Sequence, residues 1–177
     1  MIVTFAFIVV LIGLIVKADK QFGTIENTKV KYTHVGLMFF SILITSLSLT
    51  VFFNFIINFE ETIKTVYVQN GLLSPTVNLI MMLSNTILSV LILFTTLRLA
   101  MRSEKARKIF VTLIPLLFLT GTVKTLNDLY VRGTTATTLS SAMMVTIFLI
   151  ILLYSPLFFF YINKNIKKQI FDIPVNK

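Results

Sequence analysis

Residues 142–162, AMMVTIFLIILLYSPLFFFYI, run for 21 positions without one charged side chain. At 1.5 Å per residue such a run makes a helix about 30 Å long, the thickness of a bilayer's hydrocarbon core. Four further runs share its character, at 2–16, 36–57, 76–100 and 109–129, the last apolar only as far as Val123. A chain with this pattern folds as an all-α integral membrane protein. The reading is a five-span transmembrane helix bundle forming one membrane domain over residues 1–177.

Composition agrees. Charged residues make up 13% of the chain and hydrophobic ones 56%, with a mean hydropathy of +0.91, where a soluble domain carries about a quarter charged. The net charge of +9 would suggest nucleic acid in a soluble protein. Its placement suggests threading instead, and no nucleic-acid partner is expected. The connection after the first run holds Lys17, Lys20, Lys29 and Lys31, and the one after the third holds Arg98, Arg102, Lys105, Arg107 and Lys108. The tail at 163–177 adds Lys164, Lys167, Lys168 and Lys177. These alternate segments hold thirteen of the sixteen basic residues against four acidic ones, and the remaining connections balance three against three. Because basic loops stay in the cytoplasm, the N-terminus is expected outside and the C-terminus inside, in a cytoplasmic (inner) membrane. The first run lacks a basic leader and a small-residue cleavage site, so it reads as a retained anchor.

Local patterns mark the ends of the spans. Ser74 and Pro75 suit the N-cap and first position of the third helix, and Ser103 can cap the fourth. Segment 59–70 places Phe59, Ile63 and Val66 on one face and Glu60, Glu61 and Lys64 on another, as in a short amphipathic helix on the outer surface. The small-residue stretch 133–142 reads as a flexible connection. Lys164, Lys167 and Lys168 suit anionic headgroups on the cytoplasmic side of the lipid bilayer, and the Phe158–Tyr161 run suits an aromatic belt.

Polar residues inside the spans fall into two groups. Asn78, Asn85, Ser89 and Thr96 are spaced 7, 4 and 7, which puts them on one helix face. Buried in lipid, such groups need partners, so the stripe is expected to pack against neighbouring helices. Ser41, Thr45 and Ser48 form a similar line on the second span. A second group, Asn54, Asn58, Asn78, Asn85, Lys124, Asn127 and Asp128, belongs to the outer halves of three spans. It forms either an outward-facing polar vestibule or a contact for a partner or, at Lys124 and Asp128, only the emerging end of a helix. The one histidine, His34, is expected to be a solvated interfacial residue.

Catalytic signatures are missing. The chain has no cysteine and one histidine, which removes thiolate chemistry and a His-rich metal site. No phosphate loop, HExxH or GxSxG occurs, and no serine is placed to work with Lys124. No catalytic residue, metal site or cofactor is expected. The reading is a noncatalytic accessory or assembly subunit of a larger membrane complex, packing on other membrane subunits or on itself through its Ser, Thr and Asn faces. The alternative is a subunit of a small-solute or ion transporter or channel.

Overall fold

A computed structural model describes residues 2–61, 74–131 and 136–172. Among the described residues the main helices are α1 (Ile2–Phe22), α2 (Thr28–Ile57), α3 (Pro75–Ala100), α4 (Glu104–Val131), α5 (Ala136–Ile162) and α6 (Lys164–Ile170). No strand occurs among the described residues. Among the described residues four stretches are long and apolar enough to cross a membrane: Thr28–Asn54, Pro75–Ala100, Glu104–Asn127 and Met143–Ile162. The apolar part of α1 ends at Val16, and Lys17, Asp19 and Lys20 fill its last turns.

Side chains dictate where the helices start. Asn27 Oδ1 accepts from the amides of Lys29 and Val30 at 3.1 and 3.2 Å, so α2 begins well before its apolar run. Ser74 Oγ accepts from Val77 N with Pro75 at the first helical position, and Ser103 Oγ accepts from Ala106 N at 3.3 Å; both caps were expected. Between α3 and α4 the chain turns in three residues. Arg102 sits there at φ 53°, in the left-handed region that usually takes glycine. Arg102 N and Ser103 N donate to the carbonyls of Leu99 and Arg98, closing the end of α3.

The third helix is central and packs on α1, α2 and α4, while α5 packs mainly on α4. Leu11, Met38, Ile42, Ile92, Phe110 and Ile114 form the centre of a continuous apolar core. Large apolar side chains also face outward on every long helix: Phe5, Leu47, Ile87, Leu119 and Phe148 are each more than half exposed. A water-soluble monomer rarely exposes contiguous apolar patches beyond a few hundred Å². An apolar coat all round is what a bundle in lipid presents.

The structure changes or adds to several local readings. Stretch 133–142 is helical from residue 136 onward, because Ser and Thr next to an apolar run are tolerated in a helix when their hydroxyls can turn back on its carbonyls. The basic tail carries the short helix α6, which buries Ile170 completely. The Phe158–Tyr161 run is split, with Phe159 exposed and Tyr161 wholly buried. In segment 59–70 only residues 59–61 are described, and these are helical; the rest lies outside the described residues.

Candidate functional site

The three basic segments meet at one end of the bundle. Asp19, at the end of α1, accepts from Lys31 of α2 at 2.8 Å and from Arg102 of the α3–α4 turn at 2.5 Å. Glu104 takes Arg107 in a two-pronged pair at 2.6 and 2.7 Å, and Lys167 of α6 lies 3.9 Å from Glu104 and 3.6 Å from Asp172. Arg107 also donates to the carbonyl of Tyr161 at 2.6 Å, satisfying an acceptor that the end of α5 leaves open. Lys164 and Lys168 are exposed at this end, whereas Lys167 is held by its acidic neighbours.

His34 is the centre of that end, not a solvated residue. It is 3% exposed, and its Nδ1 lies 2.9 Å from the Tyr161 hydroxyl, joining α2 to α5. Phe171 meets both rings edge-on or tilted, at 6.1 and 6.4 Å between centroids, which closes the site from below. The expectation failed because the burying partner stands far along the chain. A lone histidine at a span boundary carries no trace of it.

Above this closure lies a hydroxyl-rich interface between α2 and α3. Ser41, Thr45, Ser89 and Thr96 are all buried. Thr96 Oγ1 donates to the Ile92 carbonyl at 2.8 Å, so the hydrogen of Ser41 Oγ is the one in the 2.9 Å bond between the two hydroxyls. Thr45, Thr86, Ser89 and Thr95 turn back on their own helices. Ser46 Oγ alone among these hydroxyls is buried without a partner.

Farther from the basic end, α2 and α5 part. Between them is a cavity of about 280 Å³. Leu47 forms one wall and Ile150, Leu153 and Tyr154 the other; Asn85, Gly121, Lys124 and Thr125 supply the remaining lining. Asn85 Oδ1 accepts from Thr120 Oγ1 at 3.3 Å, which ties α3 to α4 at this level. Of the outer polar group, this cavity brings together Asn85 and Lys124. Asn78 is half-buried elsewhere on α3, Asn54 and Asn58 are exposed at the far end of α2, and Asn127 is buried, away from the cavity lining. The side chains of Asp128 and Ser48 lie outside the described residues.

No group of three metal-ligating side chains forms among the described residues. Sequence reasoning missed Asp19, Arg102 and Tyr161. A carboxylate among basic residues in the first connection was the one available sign of the first two. Compared with protein-family models, with curated proteins and with solved structures, the chain matches none.

Proposed function

We propose that this protein is a noncatalytic accessory or assembly subunit of a membrane complex. The observation that carries the reading is the state of its interior. The inward-facing hydroxyls of Ser41, Thr45, Ser89 and Thr96 are paired with one another or with their own helix carbonyls, Ser46 Oγ being the exception, and an apolar layer from Met38 and Ile42 to Phe110 and Ile114 lies among the helices. A route for a hydrated solute needs polar groups in file that are not already engaged. What the fold offers instead is outer surface. In residues 143–162 only Leu157 and Tyr161 are buried, so most of α5 is available to lipid or to another helix.

The threading belongs to the same proposal. The chain crosses the membrane five times, with α1 as the fifth span, the basic end in the cytoplasm and the N-terminus outside, in a cytoplasmic membrane. The meeting of all three basic segments at one end supports this orientation.

Purification of the tagged protein from its native membrane in mild detergent tests the function. Unrelated membrane subunits in fixed ratio are the expected result. A clean homo-oligomer that moves ions or small solutes in proteoliposomes would replace this reading with a transporter.

A further inference from the structure

We propose that the basic end has a binding site for one water molecule, where α1, α2 and the α3–α4 turn meet, and that this water accepts from Arg102 Nη1 and donates to the Asp19 carboxylate. It completes the clasp of Asp19, Lys31 and Arg102. The site is independent of the accessory role.

An unmatched donor is the first argument. The Arg102 side chain is only 5% exposed. Its Nη2 donates to Asp19, while Nη1 is buried with no acceptor among the described residues. A guanidinium cannot shed its proton, so these N–H groups persist at any working pH. Leaving a buried donor of a charged group unmade is costly, and folded proteins meet such groups with protein or ordered water. Nor can the side chain swing out to solvent. Its backbone is set in the turn that closes α3, and its other arm is held by Asp19.

The space beside it is the second argument. Arg102, Asp19, Lys31 and His34 border a cavity of about 10 Å³. One water needs about 10–15 Å³ of such space and about two to four polar partners. A phosphate, a carboxylate or a second water is too large an addition. Charge decides between water and a small anion such as chloride. Asp19 borders the same space, and each of its oxygens takes one donor, Arg102 at Oδ1 and Lys31 at Oδ2, with lone pairs to spare. An anion would be set against this carboxylate. A water takes a hydrogen from Arg102 and gives one to Asp19. Its polar partners come from α1, α2 and the turn, so it joins three elements at one point.

The test uses the full chain in detergent micelles, carbon-13-labelled only at alanine methyls, and measures magnetisation transfer from water to those methyls. Ala18 and Ala100 line the cavity, whereas Ala106 is buried outside its lining. Overhauser cross-peaks with the sign of a water that tumbles with the protein are expected at Ala18 and Ala100 and not at Ala106. They should survive Lys31→Met, which removes any relay through the ammonium protons. Val35→Ile adds bulk to the cavity wall. It should abolish both cross-peaks and lower the thermal midpoint by about 3–6 °C, because Arg102 Nη1 then has no acceptor. Circular dichroism confirms that each variant is folded. Should Val35→Ile fail to fold, Ala100→Ser puts a hydroxyl in the place of the water, and it should remove the Ala18 cross-peak while keeping the midpoint. Missing cross-peaks at both methyls of the folded protein, or a midpoint raised by Val35→Ile, would overturn the proposal. So would cross-peaks that vanish when chloride replaces gluconate at constant ionic strength, the mark of an anion in the same place.

Discussion

The Nδ1 of His34 and the hydroxyl of Tyr161 lie 2.9 Å apart inside the basic end of the bundle, though 127 positions separate them in the chain. This is the point at which α5, which packs mainly on α4, is fastened to α2. Tyr161→Phe keeps the ring and its contact with Phe110, at 5.2 Å between centroids, and removes only the hydroxyl. The buried imidazole nitrogen then loses its partner, which costs about 1–3 kcal/mol. Thermal unfolding in detergent, followed by circular dichroism, should show a lowered midpoint. An unchanged midpoint would mean that water or another group replaces the hydroxyl.

Asp19 holds two cations from two other elements, Lys31 and the buried Arg102. Asp19→Asn leaves Arg102 buried without its counter-charge. Removing one partner of a buried pair costs about 3–5 kcal/mol, and the partial exposure of Asp19 places this case near the lower figure. Lys31→Met, at the more exposed edge, should cost about 1 kcal/mol or less. Urea or thermal unfolding of the two variants side by side checks the order; equal effects would contradict it.

Arg102 separates backbone from side chain. At φ 53° a residue with a Cβ is disfavoured by about 1–2 kcal/mol, and glycine is not. Arg102→Gly loses the Asp19 contact and relieves the backbone, whereas Arg102→Ala loses the contact alone. The glycine variant should therefore be the more stable by about 1 kcal/mol. If alanine matches glycine at this position in an unfolding measurement, the turn is not strained.

Much of this architecture is written in the sequence, because it follows from local spacing. Long apolar runs fix the helical type of the described residues and four stretches able to span a membrane, and Ser74, Pro75 and Ser103 fix two of the starts. The 7, 4, 7 spacing puts Asn85, Ser89 and Thr96 on one face of α3, and Ser89 and Thr96 are buried there. What is not legible is pairing between distant segments. Nothing near His34 announces Tyr161, and nothing near Asp19 announces Arg102. Nor does spacing reveal that α2 and α5 part beyond His34, so the joining of Asn85 with Lys124 and the omission of Asn54 and Asn58 follow only from the packed bundle. Likewise nothing in the basic tail announces that α6 buries Ile170.

Ser41 and Thr96 make a hydroxyl-to-hydroxyl bond across the α2–α3 interface. A double-mutant cycle with Ser41→Ala and Thr96→Val should give a coupling of about 0.6 kcal/mol, typical of such bonds within membranes. Additive single effects would show that the pair packs without a useful hydrogen bond.

The proposed threading, with the basic end in the cytoplasm, is the central claim, and the lack of any native cysteine makes it directly measurable. Single cysteines placed at Lys29 and Lys168, exposed at the basic end, and at Asn58 and Ser74, exposed at the other, can be probed with a membrane-impermeant maleimide, together with an epitope fused ahead of Met1. Five crossings with the basic end inside require Asn58→Cys, Ser74→Cys and the epitope to react in intact cells, and Lys29→Cys and Lys168→Cys to react only after permeabilisation. Labelling of Lys168→Cys in intact cells, or an epitope hidden until the membrane is opened, would contradict the five-span arrangement.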